Sequence, residues 1–524
     1  MRRRTFMGAA VATLASPALV RAAAATTLKF VPYADLALID PAVSAFVTRN
    51  HVMMVYDTLF AVDAAGVAQP QMLAGYNVES DGLTWILTLR DGLKFHDGTP
   101  VLGRDVVASL KRWQVVDAFG QALAVATDEL SAPDDKTIRF RLKRRFHLLP
   151  EALSHPTNLI AAIMPERLAS TPTNVRLTDI VGSGPYRYLG NERVPGARNV
   201  YAKFEGYVPS PRGSASFRAG AQIAHFDRVE WLTTPDPSTQ IAALANEEVD
   251  WVEQPLMDLV PSLRANRALK TEVMETAGLI GFLRFNQLFP PFDNARIRQA
   301  VLHAVDQKEF MTAVAGTNAD KDTSCGFFTS GSPAGSDAGM EALSGKTSVA
   351  DSKRMLTDAG YKGERVVFLS PTDVPRIAAI AAMGVDMLRK IGMNVDEVST
   401  DWGTAVQRTV SRKPLDAGGW SMFAAFTGGI EASSPATNQL LRGNGPSAYN
   451  GWPDAPKLEA LRDAYLFSEE PLRRRAIARE MQMQAMLDVP YLPLGSYFQP
   501  TAYKGDLIGM QKGLIQFTGV RRSA

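Results

Sequence analysis

The apolar rhythm of the chain changes along its length, and this limits it to folds in which differently built bodies sit side by side. In the first third, short alternating runs are separated by tight-turn signals: residues 76–78 and 84–89 flank Asp81-Gly82, the dipeptide expected at a tight hairpin turn. Asp134-Asp135 precedes 137–142, where Ile138, Phe140 and Leu142 alternate with Arg139 and Arg141 as one buried and one wet face. Between them, Val106, Val107, Leu110 and Trp113 share one face of a helix over 105–113, and upstream 27–30 reads as a strand and 45–60 as a helix. Further along, a strand at 366–369, a helix at 376–391 stopped by Gly392 and a strand at 394–398 make a parallel βαβ unit. A helix at 351–359, a loop rich in small residues at 317–348, helices over 453–486 and an extended segment at 490–498 complete the pattern. The fold class is therefore α/β in the mixed, α+β sense, and 524 residues are too many for one core.

Residues 1–24 read as a removable leader. Arg2, Arg3 and Arg4 precede an apolar, small-residue run over 7–19, and small residues at 20–24 offer a cleavage site. Arg3-Arg4-Thr5-Phe6 matches a twin-arginine signal, against which a general secretory signal is the alternative. The run is shorter than the roughly 20 residues of a spanning helix and contains Pro17, so an exported, soluble periplasmic protein is expected. Loss of Arg2, Arg3, Arg4 and Arg21 with the leader takes the net charge from +2 to −2, which argues against a nucleic-acid partner. Cys325 is the only cysteine and the six histidines are isolated, so neither a disulfide framework nor a dedicated metal site is expected, and no cofactor motif is present.

Residues 74–113, AGYNVESDGLTWILTLRDGLKFHDGTPVLGRDVVASLKRW, resemble the signature of the family 5 extracellular solute-binding proteins, the peptide, nickel and opine binders of ATP-driven (ABC) importers. The resemblance continues through Gly182-Ser183-Gly184-Pro185-Tyr186, 243–253 and 285–306. It implies a periplasmic binding protein-like architecture of the cluster C type, two lobes with an extra domain. By analogy, 26–60, 182–277 and 495–524 form lobe I, 61–181 the additional domain packed on it, and 278–494 the mobile lobe II. Such a protein is a monomer that captures a peptide or other small organic solute between hinged lobes and delivers it to a membrane permease. His96-Asp97-Gly98 then reads as a turn and not as a catalytic dyad.

In peptide-binding relatives a Trp followed three residues later by an Asp sits in the mobile lobe, and the Asp pairs with the ligand's amino group. The matching stretch here begins at Trp420 and has Phe423 in the carboxylate's place. Two repairs present themselves. Glu431 or Asp401 supplies the charge from a neighbouring loop, or, the reading favoured here, the ligand has no cationic end and Trp420, Phe423 and Phe426 offer stacking surface. Asp401 and Trp402 follow the second βαβ strand, where open α/β sheets place ligand loops. Tyr33 and Tyr497 complete the candidate set. An exported hydrolase and a binder of a chelated metal such as nickel are the rival functions, but neither a Gly-x-Ser-x-Gly elbow nor a His-Glu-x-x-His motif occurs.

Overall fold

The computed structural model describes residues 26–317, 319–343 and 348–523; the leader assigned to 1–24 lies outside them. Three sheets of four or more strands organise the chain. The first has seven strands in the order Leu269–Val273, Pro500–Lys504, Trp251–Val252, Thr27–Val31, Arg228–Leu232, Arg198–Lys203 and Tyr186–Tyr188. Thr27–Val31 runs parallel to both its neighbours, and its Phe30 packs on Trp231, Trp251 and Phe517 with ring centroids 4.9–5.6 Å apart.

The second sheet is antiparallel: Leu73–Val78, Thr84–Leu89, Thr137–Leu142 and Thr127–Ser131. The alternation foreseen in its third strand holds, with Ile138, Phe140 and Leu142 buried while Arg139 and Arg141 pair with Glu129 and Asp128 at the surface. The expected helix over 105–113 forms as Gly103–Val116 and lays Val106, Leu110 and Trp113 into the core.

The third sheet has six strands: Lys321–Asp322, Tyr491–Tyr497, Leu279–Phe285, Met422–Gly428, Arg365–Pro371 and Asn394–Thr400. Arg365–Pro371 and Asn394–Thr400 are parallel and joined by the Pro375–Lys390 helix, the βαβ unit read from the sequence. Leu279–Phe285 is buried at every residue, including Arg284, whose guanidinium donates to the carbonyls of Asn450, Leu440, Tyr449 and Pro490 at 2.7–3.1 Å. Those bonds answer the cost of burying a charge with no carboxylate beside it.

Two pieces of chain connect the first and third sheets, and they run side by side. Leu269–Val273 pairs with Pro500–Lys504 in the first sheet; after five intervening residues Leu279–Phe285 pairs with Tyr491–Tyr497 in the third, with Leu279 opposite Tyr497. The helix expected over 45–60 is confined to Phe46–Val55, and its ten residues are all buried. Tyr56 leaves it in extended conformation because the Gly182-Ser183-Gly184 segment lies against its end, where a Cβ on Gly182 would stand 1.9 Å from the Val55 carbonyl oxygen. His96 secures that contact: the Gly182 N–H donates to Nδ1 at 3.3 Å and Nε2 donates to the Gly184 carbonyl at 2.9 Å. Burial pushes the imidazole down to about 4, so the neutral ring persists as a structural tie, the turn role expected of it.

Candidate functional site

The seam beside the two crossings gathers charged side chains from segments that are distant in sequence. Arg49, 2% exposed on the Phe46–Val55 helix, reaches Glu275 in the first crossing at 3.4 Å and Glu431, after the Met422–Gly428 strand, at 3.5 Å. Next to it, Glu253 accepts from the Tyr33 N–H and from Asn50 Nδ2, both at 2.9 Å. From the opposite body Arg376, second residue of the Pro375–Lys390 helix, contacts the Gln254 side-chain oxygen. Its guanidinium lies 4.9 Å from the Tyr33 ring and 5.8 Å from Phe426. Phe426 in turn meets Tyr497 edge-on at 5.7 Å. A narrow cavity lined by Phe46, Arg49, Glu253, Gln254, Glu275 and Gln499 opens within this group.

Burial controls the protonation of the site. It raises Glu253 against the hydrogen bonds that favour its anion, and pushes Glu275 up to about 7 despite Arg49, with Glu431 adding to the rise. The phenols of Tyr33 and Tyr497 are raised by burial as well, so both stay neutral hydrogen-bonding groups at physiological pH. Five polar atoms here have no partner among the described residues: Arg49 Nε, Arg376 Nε, Asn50 Oδ1, Glu275 Oε1 and Glu431 Oε2. Each unmade bond of this kind costs about 1–3 kcal/mol, a cost that a guest with matching donors and acceptors removes.

The sequence-derived candidates separate into two groups. Tyr33, Phe426, Tyr497 and Glu431 meet at the seam. Trp420 and Phe423 do not, and the reason is strand direction. Met422 pairs with Phe285 and Gly428 with Leu279, so it is the Gly428 end of the strand that reaches the crossings. Trp420 lies eight residues away, roughly 26 Å of extended chain at about 3.3 Å per residue. It is fully buried and packs on Phe423 and Trp452 at 5.2 and 6.1 Å, while Phe423 packs on Phe282. Both are core residues, and the aromatic position at the seam belongs to Phe426, six residues after Trp420. The position three residues beyond Phe426 is Gly429, so the carboxylate is again displaced, to Glu431.

Asp401 is exposed and caps the Trp402–Thr409 helix, accepting from the Thr404 N–H at 2.9 Å. Those bonds hold its carboxyl below the usual range. Trp402 is half-buried against the core of the third-sheet body, its N–H donating to Asp373 at 2.8 Å. Arg49, Glu253, Glu275 and Arg376 were not singled out from the sequence. Arg49 carried one usable signal: a cation in a helix, FVTRNHVMMV, with no polar face wide enough to expose it. Gly428 and Gly429 are required by the site, since a Cβ on Gly428 would stand 2.2 Å from Glu431 Oε2 and one on Gly429 would stand 1.9 Å from the Ala277 carbonyl oxygen.

Among the described residues no group of three His, Cys, Asp or Glu is arranged to hold a metal ion, and no helix is long and apolar enough to cross a membrane. The chain is 35% identical over 508 residues, 96% of its length and 95% of the other's, to a probable peptide ABC transporter periplasmic-binding protein, y4tO, of Sinorhizobium fredii. Its fold matches the binding protein AgaA of A. tumefaciens R10 in complex with agropinic acid, with a TM-score of 0.79 at 20% identity, covering 95% of this chain and 99% of that one. DppA of Helicobacter pylori, in complex with the peptide STSA, matches with the same TM-score and identity over 95% and 98% of the two chains. Residues 67–448 match the model of the bacterial extracellular solute-binding proteins, family 5. The chain belongs to that family, whose members are solute-binding proteins and not enzymes, and it is the substrate-binding component of an ABC importer.

Proposed function

We propose that this protein works as a periplasmic monomer that captures a small peptide or peptide-like organic solute at the seam and presents it to a membrane permease. In this reading 26–60, 182–277 and 495–524 form the fixed lobe, 61–181 the domain packed on it and 278–494 the lobe that closes, with the paired crossings at 274–278 and 498–499 as the hinge. The observation that carries it is the seam itself, where guanidinium and carboxylate groups with unpartnered atoms lie among the rings of Tyr33, Phe426 and Tyr497. Water would satisfy such groups in an open cleft; a guest must satisfy them in a closed one. Arg376 offers donors to a carboxylate, and the phenyl and phenol rings cover the solute's body. The peptide ligand of the H. pylori neighbour and the peptide-transporter name of the S. fredii relative support that solute class.

Native mass spectrometry of the exported protein tests the proposal. A co-purified small organic molecule that is lost on denaturation is the expected result, and a protein that carries nothing and does not bind any component of a peptide digest contradicts it. Arg376→Ala should weaken retention at least tenfold, about 1.4 kcal/mol, with little change in melting temperature.

A further inference from the structure

The bodies meet a second time, away from the crossings. The segment after Thr137–Leu142, Arg144-Arg145-Phe146-His147, faces the end of the Pro456–Leu466 helix and the turn that follows it. Arg144 pairs with Asp463 through both terminal guanidinium nitrogens, one of them at 3.0 Å, and lies over the Phe467 ring, 3.1 Å from its centroid. Phe146 meets the same ring at 5.4 Å. His147 Nε2 lies 2.8 Å from Glu469 Oε1, and Arg145 reaches that oxygen at 3.9 Å. Nearby, Arg442 donates to Gln121 Oε1 at 3.2 Å.

Beneath these pairs Leu466 and Ala436 are buried in the core that holds Phe146, whereas Leu458 and Leu441 belong to the core of the third-sheet body. The three ion pairs of 144–147 leave 43–56% of each side chain in water, and pairs so placed part at little cost. Neither segment belongs to the crossings, so rotation about 274–278 and 498–499 carries one away from the other.

We propose that 144–147 and 463–469 form a clasp that makes when the bodies close and parts when they open. The 61–181 domain contributes none of the charged groups at the seam, and through this clasp it sets how long a captured solute is held. The proposal rests on the capture reading above.

The first test needs no solute. Arg144→Cys with Asp463→Cys places two accessible thiols across the clasp, while Cys325, 1% exposed and with its thiol pushed up by burial, stays inert. The double variant is stripped by unfolding and refolding and joined with a short, cleavable bismaleimide. Its radius of gyration should fall on joining and return on cleavage. No change on joining, or thiols that cannot be joined, overturns the clasp.

A second measurement uses charge in place of thiols. Protein loaded with a tryptic casein digest is dialysed, and the loss of bound peptide is followed by native mass spectrometry. Arg144→Glu should speed the loss about fivefold, because it turns a half-exposed attraction into a repulsion, and adding Asp463→Arg should return it towards the wild-type rate. Equal rates in wild type and Arg144→Glu overturn the clasp. No uptake of peptide by wild type instead overturns the peptide-like solute of the capture reading, while the joined thiols still decide the clasp.

Discussion

Arg49 shows how one residue can be committed to two bodies at once. Its helix offers it no solvent, and its partners Glu275 and Glu431 come from the crossing and from the far side of the seam. Arg49→Met should therefore leave two uncompensated buried carboxyls, cost about 3–5 kcal/mol in the closed form and favour opening. Differential scanning calorimetry on the solute-loaded protein measures the loss. Trp420 is the opposite case, since its indole is enclosed by Phe423 and Trp452. Trp420→Ala should destabilise by about 3–5 kcal/mol through cavity formation, with solute affinity of the folded fraction unchanged. A tenfold loss of affinity without loss of stability would return Trp420 to the site.

At the scale of elements, the legible parts of the sequence were those in which local rules and tertiary context agree. The Asp81-Gly82 hairpin, the alternation in Thr137–Leu142 and the βαβ unit around Pro375–Lys390 each depend on neighbours in the chain, and all three formed as read. The site was less legible because it is assembled from seven separated segments, and no local pattern says which end of Met422–Gly428 faces the crossings. A Trp followed three residues later by an aromatic looks the same at either end of a strand; only the pairing of Gly428 with Leu279 decides it. Asp401 was ambiguous for a related reason, because a carboxylate after a parallel strand serves equally as ligand contact or as helix cap, and here it caps the Trp402–Thr409 helix. Asp401→Ala should lower the melting temperature slightly by removing the cap and leave solute affinity unchanged, as thermal and binding titrations can check.

For the whole molecule, the decisive property is that, among the described residues, just two short, adjacent pieces of chain join the seven-stranded and six-stranded sheets. Rotation about a paired crossing moves each sheet as a unit, so the bodies can separate without breaking either core. The seam then becomes a wet cleft, and Arg49, Glu275 and Glu431 exchange one another's company for water. A solute that satisfies the orphaned atoms shifts this balance towards closure by as much as its affinity for the closed form exceeds that for the open one. Small-angle X-ray scattering of the same preparation, stripped of solute and then reloaded with the molecule that co-purified with it, reads this directly. The radius of gyration should fall on reloading and rise again on stripping, and an identical radius in both states would contradict closure of two hinged bodies around a guest.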